Sequence, residues 1–170
     1  MPRYVYRLDN AIALALVVAY RPGEWVYSLR ARSEAAAVDL GLSEAQALHL
    51  AEAAGRTAAT FAAGHFPLAH LRPMSPEDPL LRGPYDLEAR AERLDVAPEP
   101  GRRRVSVEVG GKVEGVPYRV SIGAIPEQIQ ALAEQISAAH EHTVAVCPVC
   151  GRPGLRVGET CDHAHRTAAR

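Results

Sequence analysis

The sequence predicts an α+β fold with antiparallel strands in two similar strand-then-helix halves and a small C-terminal zinc knuckle. Three observations carry this. Polar and apolar residues alternate over residues 4–8, 25–32, 105–109 and 118–122, the period of a half-buried strand. Two segments, one after each strand block, carry apolar residues at helical spacing. All three cysteines fall between 147 and 161.

The elements are expected in order. Tyr4, Tyr6 and Leu8 alternate with Val5 and Arg7, and residues 11–20 form the unbroken apolar run of a strand buried on both faces. Arg21-Pro22-Gly23-Glu24 is a turn signal, and Trp25, Tyr27, Leu29 and Ala31 begin a new alternation. A short strand is expected at 35–40. Ser43 with Gln46 forms a capping box, with Leu42 placed to staple against Ala47. Leu50, Ala54, Ala58 and Phe61 then mark the apolar face of a helix that stops at Gly64.

Five prolines between 67 and 84 predict an irregular connection. Residues 85–94 read either as a charged helical turn or as the start of a strand, with 94–96 leading into a hairpin closed by Pro98-Glu99-Pro100-Gly101. Val105, Val107 and Val109 mark the next strand. Gly110-Gly111-Lys112 reads as its turn, and Tyr118, Val120 and Ile122 as the strand after it. Pro126 suits a first helical position, and Ile129, Leu132, Ile136 and Ala139 form the stripe of a second helix. Gln46 and Leu50-Ala51-Glu52 recur at the same offset as Gln128 and Leu132-Ala133-Glu134. The expected organisation is therefore a half at 1–66, a connection at 67–84, a half at 85–142, and a knuckle with tail at 143–170.

The 170 residues suit one domain of ordinary size plus a small appendage. A net charge of −1 excludes a globally basic nucleic-acid binder and a polybasic membrane binder. The longest apolar run, Ala11–Ala19, is too short to span a bilayer, and no secretory leader is visible. An odd, clustered set of cysteines is a poor disulfide framework, which points to a reducing cytoplasm.

Cys147-Pro148-Val149-Cys150-Gly151 carries the chemistry. Two cysteines three apart on a tight turn point both sulfurs at one metal. Cys161 supplies a third thiolate after a glycine-containing loop, and His163 an imidazole. Thiolates with imidazole favour Zn(II). Four protein ligands close the coordination sphere, so the zinc is structural. A Cys-x-His clip is compact, which favours His163, with His165 and then Glu159 as alternatives. A redox role for the Cys-Pro-x-Cys pair needs a helix start beneath it, and Gly151 and Pro153 break a helix there. A zinc deaminase is disfavoured by its motif order, since His140-Glu141-His142 lies next to the cysteine pair and the proline sits inside it.

His140 and His142 are expected at the dipole-favoured end of the second helix. His49, His65 and His70 read as surface residues, and Arg102–Arg104 as a solvated strand edge. No phosphate loop, nucleophile elbow or diagnostic carboxylate pair is present in the sequence.

The chain resembles an actinobacterial family known as a domain of unknown function. The likeness rests on the start at Met1-Pro2-Arg3, the Arg21–Glu24 turn and the strand from Trp25. It rests also on the hairpin from Arg93-Leu94-Asp95-Val96 to Val109, and on Cys-Pro-x-Cys-Gly-x-Pro with its later cysteine. Members tend to carry a histidine two residues before the third cysteine, where this chain has Glu159. Their genes often neighbour those of a phosphoglycerate-mutase-like phosphatase and a phosphoinositide-kinase-like protein, which implies a shared pathway.

The expected function is that of a non-catalytic, zinc-stabilised binding or adaptor protein with a protein partner. Two alternatives stand beside it. One is nucleic-acid binding through the knuckle, where Arg152, Arg156, Arg166 and Arg170 face Glu159 and Asp162 in number. The other is an enzyme with its site in the sheet cleft. A homodimer through a sheet edge or helix face is also expected, because edge strands need cover.

Overall fold

The structure, a computed structural model, describes residues 4–21, 24–64, 68–99 and 101–144. The elements are β1 (Tyr4–Leu8), β2 (Ala13–Arg21), β3 (Glu24–Arg32), β4 (Ala37–Leu42), α1 (Glu44–Ala63), a 3-10 turn (Pro79–Leu81), β5 (Leu87–Pro98), β6 (Val105–Val113), β7 (Val116–Ala124) and α2 (Pro126–Val144). The seven strands form one sheet in the order β1-β7-β6-β5-β4-β3-β2. Strands paired within a half are antiparallel, as expected. The joints between halves, β4 with β5 and β1 with β7, are parallel, which corrects an all-antiparallel reading.

The sheet must curl. Its two edge strands, β1 and β2, are joined only by residues 9–12. Five Cα steps reach at most about 18 Å, whereas the edges of a flat seven-stranded sheet lie roughly 29 Å apart. The connection bonds to both sides of the gap: Ala11 N–H donates to Gly123 O at 2.8 Å, and Ile12 N–H to Arg32 O at 2.8 Å. The inner face carries Leu14, Leu29, Leu40, Val107, Val120 and Ile122, and the packed helices cover it with Leu50, Ile129, Leu132 and Ile136.

The same order occurs twice, with an exchange. β5 is a single twelve-residue strand whose start, Leu87–Arg90, pairs with β4, while Ala91–Pro98 pairs with β6. In the first half that strand is broken into β1, which pairs with β7, and β2, which pairs with β3. Each half thus lends its first strand segment to the other. Gln46 and Gln128 mark the equivalence. Gln46 accepts from Ser43 N–H at 2.8 Å and donates to Ala91 O at 3.1 Å. Gln128 accepts from Ile125 N–H at 3.1 Å and donates to Ala11 O at 2.8 Å.

Several local expectations change. The capping box and the Gly64 stop of α1 are present, and α2 begins at Pro126. The strand expected at 35–40 runs two residues later, and the ambiguous 85–94 stretch is strand from Leu87 onward. Within the proline-rich connection, Pro79–Leu81 forms a 3-10 turn capped by Asp78. Leu81 is buried on Ala13 and Ala15, which explains why the start of β2 is apolar on both faces. Gly110-Gly111-Lys112 is not a turn. It lies inside β6, and the turn is Glu114-Gly115, both at positive φ. Gly111 is there for close approach, since a Cβ would lie 2.6 Å from Arg90 O.

Candidate functional site

Cys147, Cys150, Cys161 and His163, with the alternatives His165 and Glu159, lie outside the described residues. Cys147 follows the last residue of α2, Val144, by three positions. Among the described residues, no group of three or more His, Cys, Asp or Glu side chains is placed to hold a metal ion.

Of the other histidines, His65 and the side chain of His142 lie outside the described residues, and His140 and His70 lie beside carboxylates. His140 Nδ1 lies 3.3 Å from Glu44 Oε1, so the start of α1 sits beside the end of α2. His70 is 4.0 Å from Glu134, and His49 is exposed. Arg102–Arg104 is not a strand edge. Arg102 pairs with Glu99 at 3.8 Å and Arg103 bonds the nearly buried Glu127 at the start of α2. The guanidinium of Arg104 lies over Gly123.

Sequence reasoning missed the outer face of β1, β7, β6 and β5. The register puts Val5, Arg119, Gly110 and Arg93 in one row across these strands, and Arg7, Ser121, Glu108 and Asp95 in the next. Glu108 is the hub. It accepts from Arg119 Nε at 2.9 Å and from Ser106 Oγ at 3.0 Å. Burial pushes its carboxyl up, but hydrogen bonds from Ser121, Arg119 and Ser106, with the Arg119 charge, outweigh this and hold it below the usual range. On the inner side Tyr118 donates to Arg90 O at 2.9 Å, and burial, helped by the Glu92 charge, pushes its phenol up to about 12.

Two open depressions flank the Arg119–Glu108 pair. One, of about 430 Å³, lies over Gly110 between Arg93 and Arg119. The other, of about 420 Å³, is bounded by Arg7, Asp9 and Ser121. The face places the charged and hydrogen-bonding groups of Arg7, Asp9, Arg93, Asp95, Glu108 and Arg119 around the two depressions. The alternating polar residues of β1, β6 and β7 were visible in the sequence. Their neighbours across strands were not.

No family model, curated protein or solved structure matches this chain. Among the described residues no helix is long and apolar enough to cross a membrane.

Proposed function

We propose that the chain is a non-catalytic binding or adaptor protein with one structural zinc held by Cys147, Cys150, Cys161 and His163. The observation that carries the reading is the Cys-Pro-Val-Cys-Gly sequence followed by Cys161-Asp162-His163. It supplies four protein ligands of the type and spacing that close a zinc sphere. The knuckle is too small to hold together by apolar burial, so the metal carries its local fold.

The test is elemental analysis of protein purified without chelator. About one zinc per chain is expected. Cys147→Ser and Cys161→Ser should each lose it. His163→Ala should lose it unless His165 replaces the imidazole, which His163→Ala with His165→Ala decides. No zinc, with all three thiols freely titratable, overturns the reading. Four arginines against two acids between 147 and 170 favour nucleic-acid binding through the knuckle as the second reading. Affinity that falls steeply with salt would mark it.

A further inference from the structure

The two halves treat their outer sheet faces differently. In the first half, the row Ala15, Arg30, Asp39, Glu88 corresponds to Asp95, Glu108, Ser121, Arg7 in the second. The face of the first half is covered by the chain's own connection. Arg32 donates to three alternate peptide carbonyls of it: Leu80 O at 2.8 Å, Arg82 O at 2.7 Å and Pro84 O at 3.3 Å. Tyr85 lies 5.5 Å from the Arg30 guanidinium, and Leu81 fills the space over Ala13 and Ala15. A guanidinium thus binds a proline-containing main chain that leaves the Pro79–Leu81 3-10 turn across the strands.

The equivalent face of the second half carries no such segment among the described residues, and the two depressions lie there. Its arginine stands in the same row as Arg32, one strand over: Arg32 pairs with Ala37, and Gly110 with Arg119. We propose that this face of β1, β7, β6 and β5 is a docking surface for an uncharged, proline-containing segment of a partner protein. The partner's chain lies over Gly110, with its carbonyls toward Arg93 and Arg119 and its amides toward Asp95. Where the first half offers Ala13 and Ala15 to a leucine, this half offers Arg93 and Asp95, so the partner residue there is polar. Charge separates this ligand from a polyanion. Arg7, Arg93 and Arg119 are balanced by Asp9, Asp95 and Glu108, so the face carries no net charge to attract phosphates. The proposal gives the binding reading a surface within the fold and does not depend on the zinc.

The test is selection of a displayed library of short proline-containing peptides on the full-length chain, followed by titration of the selected peptides. Gly110→Leu fills the depression. A Cβ at Gly110 stays 3.5 Å or more from its neighbours, so the backbone can hold it. Arg93→Ala removes a cation without adding bulk, and Gly55→Leu, on α1 with open space around it, is the control. Selected peptides should bind about tenfold more weakly to Gly110→Leu and Arg93→Ala, and unchanged to Gly55→Leu and Cys147→Ser. Three results overturn the proposal: no enrichment, loss of binding in Gly55→Leu but not in Gly110→Leu, or displacement by single-stranded nucleic acid with steep salt dependence. Loss of zinc with peptide binding intact would bear on the metal alone.

Discussion

Gln46→Ala is the sharpest test of how the halves are joined. The Gln46 side chain makes two bonds at once, accepting from the first free amide of α1 and donating to Ala91 O, where β5 leaves β4 for β6. Truncation leaves a helix-terminal amide and a strand carbonyl without those partners. Each partly buried bond contributes about 0.5–1.5 kcal/mol net, so the expected loss is about 1–3 kcal/mol. For a chain of this size that lowers Tm by roughly 6 °C. Gln128→Ala removes the matching bonds to Ile125 N–H and Ala11 O and should cost the same. The two sites share no partner, so the double variant should lose about the sum. Gln130→Ala is the control, because its bond to Glu134 at 3.0 Å is an exposed pair one helical turn apart, worth about 0.2–0.5 kcal/mol. Urea unfolding followed by circular dichroism measures all four. If Gln46→Ala and Gln128→Ala shift the midpoint no more than Gln130→Ala, the glutamines do not tie helix to strand and the argument fails.

Two further outcomes follow from the same sheet. Gly111→Ala places a Cβ against Arg90 O and the Tyr118 ring and should cost about 1–3 kcal/mol. Gly110→Ala, one residue away, has ordinary room and should stay within about 0.5 kcal/mol in the same urea assay. Equal effects would show that the β5 backbone does not press on β6 there. Glu108 has a folded-state pKa below its unfolded value, so its contribution is present above the unfolded pKa, near 4.5, and is lost as pH falls through the folded one. Glu108→Gln should therefore flatten the fall of the urea midpoint below about pH 4.5. An unchanged acid slope would remove Glu108 as the hub of the outer face.

What could be read along the chain was what is local. The capping box at Ser43 and Gln46, Pro126 at the first turn of α2 and the alternation of β3 and β7 depend on residues a few positions apart, and all appear in the fold. Ligand type and spacing in the Cys147–His163 cluster are local in the same way, so a metal site could be proposed without any tertiary information. Gly110-Gly111 shows where this ends. A glycine pair signals backbone freedom, and only the approach of Arg90 O from β5 makes it a strand rather than a turn. Tertiary structure likewise decided that β1 and Leu87–Arg90 are exchanged between halves. Alternation reports which face of a strand is buried but not which strand lies beside it. For the same reason the outer face of Arg7, Arg93, Glu108, Arg119 and Ser121 was invisible. Its residues come from four strands, and pairing across them is set by non-local hydrogen bonds that leave no periodic mark on the chain.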